Sequence, residues 1–133
     1  MLQRRRFLVG DYTVLDRRPC ACGRTHARAL GGFAGRADDL INLRGIKMYP
    51  VQIEQAVRAV PGLGDEYEIV IAAPDGLDRM TIRIEHADQA VAPRVAEAVR
   101  VHCEVRVDIE VLAPGTLPRT EFKAKRIRDL RRT

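Results

Sequence analysis

A compact α+β fold is predicted by three features of this sequence. Apolar and polar residues alternate in Arg79–Glu85 and again from Val105 to Val111, the period of a half-buried strand. The stretches opened by Pro50 and Pro93 instead space their apolar residues three and four apart, as a helix with one buried face does. Between them these stretches give the order strand, helix, strand, strand, helix, strand, which closes as one sheet with its helices on one side.

Taken in order, Arg6–Leu15 alternates loosely around Gly10-Asp11 and reads as a strand with a turn, or a hairpin. A turn with two cysteines, Cys20 and Cys22, follows. Gly35 allows a tight turn, and Asp38-Asp39 disfavour continued sheet at that point. Leu40, Ile41 and Leu43 form a short strand, and Gly45 lets the backbone approach a ligand closely. The first helix then buries Ile53, Ala56, Val57 and Val60 and stops at Pro61-Gly62-Leu63-Gly64. Glu68–Ala73 is a buried strand, Pro74-Asp75-Gly76 a turn, and Arg79–Glu85 the returning strand of a hairpin. The second helix puts Ala92, Val95, Ala96, Val99 and Cys103 on one face, with His102 near its C-terminal end as a structural residue. The strand through Val105, Val107, Ile109 and Val111 follows, and the basic end reads as a helix. The expected architecture is a ferredoxin-like α+β sandwich: a hinge strand, then αββαβ and a C-terminal basic helix, preceded by a small β-hairpin segment.

A chain of 133 residues holds one ordinary domain with a real core and is too short for two. No apolar run approaches the roughly 20 residues that span a bilayer, and Arg4-Arg5-Arg6 is not followed by a signal-peptide core, so a cytoplasmic protein with no membrane partner is expected. The net charge of +5 is concentrated: Arg119–Thr133 carries seven Lys or Arg against two acids, and the rest of the chain sums to zero. Such a tail suits an anionic surface, nucleic acid, or the phosphates of a nucleotide or CoA, or is simply a solvated helix face. RNA binding on the sheet is disfavoured, because the strands display Arg83, Glu85, Arg106 and Asp108 but no stacking aromatic.

The densest motif runs from Gly35 to Glu54: Gly-Arg-x-Asp-Asp, then Arg44-Gly45, then Tyr49-Pro50-x-Gln-Ile-Glu. In this the chain closely resembles the hinge and C-terminal lid domain of the adenylate-forming ligases, and within them the phenylacetate–CoA ligase-like branch. The resemblance extends from about Phe7 to Arg132. It implies that residues 1–34 are the end of the family's large domain and that 35–133 are the lid. It further implies that Asp11 and Arg36 hold the nucleotide at its ribose, that Asp38 is the hinge, and that Arg44 and Gly45 line the channel for the pantetheine thiol.

Pro114–Arg126 resembles the final signature of the same branch, in which a lysine follows Pro-Arg-Ser/Thr-Glu-Gly on a mobile loop. Lys123 takes that position as the catalytic residue, with Phe122 where the family has Gly and Lys125 as a second candidate. Its ammonium would bind the substrate carboxylate and the α-phosphate oxygens as pyrophosphate departs. The bland alternative is a basic helix cap. ATP (AMP) and CoA are the implied ligands, with Mg2+ accompanying the nucleotide.

Cys20, Cys22 and His26 have the donor types of a zinc site but number three where a structural site has four. Two readings follow: half of a zinc site completed by another domain, or no metal. Cys103 is a core residue.

A Gly-, Ser- and Thr-rich phosphate loop is missing, since Gly31-Gly32 and Gly62-x-Gly64 are too short and lack such neighbours. The chain alone is therefore not expected to be an enzyme. The first functional expectation is the lid domain or subunit of an ATP-dependent acyl or aryl acid–CoA ligase, needing a separate large N-terminal adenylation domain or subunit. The alternative is a non-catalytic α+β binding module derived from such a ligase, which the Phe122 substitution favours.

Overall fold

The computed structural model describes residues 10–36, 39–119 and 126–131. Strands β1 (Asp11–Asp16) and β2 (Arg28–Arg36) form an antiparallel ribbon. A tight hairpin of β3 (Ile41–Leu43) and β4 (Ile46–Met48) follows, then helix α1 (Pro50–Arg58). Strands β5 (Tyr67–Ala72) and β6 (Arg79–Glu85), helix α2 (Ala92–Cys103), β7 (Asp108–Leu112) and β8 (Ile127–Asp129) complete the order. The main sheet runs β7-β6-β5-β8, with β5 and β6 antiparallel and each edge strand parallel to its neighbour. The α+β, ferredoxin-like architecture expected from the sequence is the one observed.

Each helix starts where a proline permits it. Pro50 fills the first turn of α1, where its missing N–H has no partner to lose, and the Gln52 side chain accepts from the Tyr49 N–H at 2.7 Å. Ile53, Ala56 and Val57 face inward from α1, and Val95, Val99 and Cys103 from α2. Alternation does the same for the sheet: Tyr67, Ile69 and Ile71 of β5 and Met80, Ile82 and Ile84 of β6 meet the helices. Burying each such side chain contributes about 1.5–3 kcal/mol against chain entropy.

The opposite face of the sheet carries charge. Glu110, Arg83, Glu68 and Arg128 alternate in sign across all four strands, with Arg83 2.8 Å from Glu110 and 2.9 Å from Glu68. No aromatic residue stands in this row, so the stacking platform of an RNA-binding sheet is lacking there.

Three local expectations are corrected. The basic C-terminal helix is not present among the described residues: Ile127–Asp129 is a strand that covers the edge of β5. The reason is the β5 edge itself, whose Ile69 N–H donates to Arg126 O and whose Ile71 O accepts from the Leu130 N–H, both at 2.7 Å. The tail arginines are also used locally: Arg126 lies 4.5 Å over the Tyr67 ring, Arg128 faces Glu68, and Arg131 binds Asp78 and Asp129. Second, Gly35 is part of β2 opposite Tyr12, and it is Gly31 and Gly32 that take positive φ. Third, β3 pairs with a strand the sequence reading did not single out, β4, rather than with the main sheet.

The ribbon has no apolar layer of its own among the described residues. Val14, Leu15 and Leu30 are 65, 54 and 46% exposed, and a lone two-stranded ribbon is marginal in water. In the isolated chain the backbone amides of β1 and β2 are therefore expected to exchange with deuterium at least ~10³-fold faster than those of Ile69 and Ile82 in the central strands. Equal protection of both regions, read by mass spectrometry, would refute this.

Candidate functional site

The sequence-derived residues fall into three places. Asp11 and Arg36 are cross-strand partners at one end of the ribbon. An acid and a guanidinium on directly opposed positions can together hold vicinal hydroxyls, the acid accepting and the arginine donating. Asp38 and Lys123, with Phe122 and Lys125, lie outside the described residues.

Arg44 and Gly45 form the two-residue tip of the β3–β4 hairpin. Both have positive φ, 51° and 85°, as a turn of the type that matches strand twist requires. Gly45 takes this freely, and its N–H is met by Asn42 Oδ1 at 3.0 Å. Arg44 does not: a side chain in the left-handed region costs about 1–2 kcal/mol. The hairpin can hold that strain because Ile41, Leu43 and Met48 anchor it in the core. Arg131 adds a tie from the other end of the chain, donating to Asn42 O and Asp78, each at 2.7 Å.

The tip borders a cavity of about 310 Å³ lined by Arg44, Leu77, Asp78, Arg79, Met80 and Arg106, with Val107 and Asp108. Asp78 is neutralised by Arg131, and Arg79 by Asp75 at 3.1 Å. Among the described residues neither Arg44 nor Arg106 lies within ion-pair distance of a carboxylate. Asp108 also lines the cavity without an ion pair among the described residues, so Arg44 and Arg106 leave the lining one net positive charge, which favours an anion. Arg79 and Arg106 were not singled out as ligand residues by sequence reasoning, because nothing in their spacing connects them to Arg44 until the sheet is formed.

The segment Leu117–Arg119 is held by Glu85, which sequence reasoning placed on the displayed side of its strand and which the structure buries. The Glu85 Oε1 accepts from the Leu117 N–H at 2.6 Å and its Oε2 from Arg119 Nη2 at 3.1 Å. The Leu117 N–H first of all holds the Glu85 carboxyl below the usual range, against the opposing effect of burial. A carboxyl depressed in the folded state contributes stability that is present above its unfolded value, about 4.3, and is lost as pH falls through the folded value. Acid titration of the urea midpoint should therefore show a loss of stability below about pH 4.3 that is shallower in Glu85→Gln. Identical slopes for both proteins would count against it.

At the cysteine turn, the Cys22 and Cys20 sulfurs are 2.8 Å apart, and the thiol of Cys22 is held below its usual range first by Cys20 and then by the backbone at Arg24. His26 does not join them: no group of three or more His, Cys, Asp or Glu able to hold a metal occurs among the described residues. Two thiols do not fit a closed zinc site by themselves, so no function is assigned through a metal.

A small α+β domain with an arginine-tipped hairpin beside an arginine-lined cavity is the class this site defines. The model of the AMP-binding enzyme C-terminal domain matches residues 45–131. The chain is 31% identical to a phenylacetate-coenzyme A ligase of Thermus thermophilus over 150 aligned residues, covering 96% of this chain and 34% of that protein. It superposes on the crystal structure of 2-hydroxyisobutyryl-CoA ligase in the postadenylation state with a TM-score of 0.78 at 32% identity, covering 90% of this chain and 27% of that one. A domain of phenylacetate-coenzyme A ligase from Bacteroides vulgatus gives a TM-score of 0.63 at 28% identity, covering 72% of this chain and 96% of that domain. The chain belongs to the family of AMP-binding enzyme C-terminal domains. Within it, it is a C-terminal domain of the phenylacetate–CoA ligase-like branch. It spans about a third of the length of the Thermus relative.

Proposed function

We propose that the chain is the lid of an ATP-dependent acyl or aryl acid–CoA ligase and works with a separate large adenylation domain. In this reading residues 1–34 complete the large domain and 35–133 move against it about Asp38. The exposed apolar residues of the ribbon, Val14, Leu15 and Leu30, support it, since a large domain would cover them.

The reaction has two steps on two faces of one lid. The substrate carboxylate attacks the α-phosphorus of ATP, and the bond to the β-phosphate oxygen breaks to release pyrophosphate. Lys123 neutralises the negative charge that builds on the α-phosphate oxygens, while Asp11 and Arg36 hold the ribose. After the lid turns, the CoA thiol, as thiolate, attacks the acyl carbonyl and AMP leaves. Arg44 and Gly45 then line the pantetheine path, and the arginine-lined cavity takes the phosphates at the nucleotide end of CoA.

The observation that carries this reading is the positive φ of Arg44 beside that cavity. Asparagine or glycine would make the same turn at lower cost, so a charged side chain kept there points to a ligand. The test is ATP–pyrophosphate exchange by the chain isolated from its own host with whatever large domain accompanies it, over a panel of aryl acids. Exchange that depends on an aryl acid supports the reading. A chain that comes alone and shows none returns it to a non-catalytic binding module, the reading that Phe122 in place of glycine favours.

A further inference from the structure

We propose that Glu85 is a positioning residue for adenylation: its carboxylate fixes Leu117–Arg119 and so sets the direction in which the chain leaves the sheet towards Lys123. The inference rests on the ligase reading.

Glu85 ends β6 at a break in the alternation, where Ile84 and Glu85 are both buried. Its side chain is only 4% exposed. Burying a carboxylate costs several kcal/mol unless charge-assisted hydrogen bonds offset it, so a strand end with no further duty would carry an apolar residue. Among the described residues, the side-chain and backbone donors to this carboxylate come from one short stretch: the N–H of Leu117 and the guanidinium of Arg119. That stretch has no helix or strand of its own. Among the described residues its other hydrogen bonds are local, such as Thr116 Oγ1 donating to Ala113 O at 2.6 Å, and the Leu117 side chain is buried.

The register puts the anchor where it has most effect. Glu85 pairs with Leu112, the last residue of β7, so the carboxylate stands where the chain leaves the sheet. The chain is fixed again at Arg126, whose Nη1 donates to Asp65 O at 2.9 Å and whose guanidinium lies on Tyr67. Glu85 thus anchors the last described residues before Lys123, and Arg119 belongs to the signature that precedes it. Thioester formation uses the Arg44–Gly45 side of the domain, which makes no contact with Glu85 among its hydrogen bonds.

The experiment uses the chain with its large domain and compares Glu85→Ala, Glu85→Gln and Arg119→Ala. In Glu85→Ala the Leu117 amide is expected to exchange about tenfold or more faster, since a charge-assisted bond is lost. Pyrophosphate exchange should fall about 10–100-fold, as misplaced groups do. Thioester formation from a supplied aryl adenylate should stay near wild type. Glu85→Gln, which keeps one acceptor oxygen, and Arg119→Ala should fall between. Equal loss of both half-reactions, or Ile69 and Ile82 amides opening along with Leu117, would make Glu85 a plain stabiliser and overturn the proposal. Unchanged Leu117 exchange would overturn it as well. If the wild type shows no pyrophosphate exchange at all, the ligase reading fails, and unaltered Leu117 protection in Glu85→Gln and Glu85→Ala would then remove the anchor too.

Discussion

Lys123→Ala should lower aryl acid-dependent pyrophosphate exchange about 10²–10³-fold, the effect of removing one donor aimed at charge that develops in a transition state. Thioester formation from a supplied acyl-adenylate should change little, because in the proposed reading the lid has turned by then and Lys123 no longer faces the α-phosphate. The neighbouring Phe122 sharpens the experiment. Phenylalanine takes the positive φ open to glycine only at a cost of about 1–2 kcal/mol. Phe122→Gly is therefore expected to raise exchange if the backbone at this position restricts the lysine. Lys123→Ala with full exchange would transfer the role to Lys125 or, if Lys125→Ala is equally silent, end the catalytic reading.

Much of the fold was legible because its physics is local. The alternation of Arg79–Glu85 with its buried Met80, Ile82 and Ile84, and the spacing of Ile53, Ala56 and Val57, each predict one buried face without reference to any partner. What could not be read depends on distant pairing. The β8 strand exists because the β5 edge needs partners, and nothing within Ile127–Asp129 says so. Its basic composition pointed to a helix, whereas the charges find Tyr67, Glu68 and Asp78 across the sheet.

The site divides in the same way. Arg44-Gly45 was visible as a motif, because a dipeptide carries its own turn chemistry. Glu85 was not, since its distinction lies in a carboxylate meeting Leu117 and Arg119 more than thirty residues later. The cavity arginines, Arg79 at the start of β6 and Arg106 in the segment between α2 and β7, are joined to Arg44 only by the fold. Conversely, the zinc-like donors Cys20, Cys22 and His26, already one short of a structural site in the sequence, come together only as far as the two thiols.

Arg44→Asn should move stability and activity in opposite directions. Asparagine adopts the left-handed conformation with little penalty, so the φ of 51° that strains arginine would be relieved, and unfolding by urea should require about 1 kcal/mol more. The same change removes a guanidinium from the cavity and from the thiol path. Loss of one charged hydrogen bond, about 1.5–3 kcal/mol, corresponds to a fall of ~10–100-fold in kcat/KM for CoA. Pyrophosphate exchange should stay near wild type, because in the proposed reading Arg44 serves the second step alone. Arg44→Ala separates the two effects: it loses the charge and keeps the backbone strain, so thioester formation falls without the gain in stability. The opposition of signs is the informative part. A residue kept for packing would lose stability when changed, whereas a residue kept for a ligand at the cost of strain loses only the ligand. If Arg44→Asn proves less stable than the parent chain, or if both half-reactions decline together, the hairpin tip is a structural turn and the cavity beside it has lost its claim to CoA.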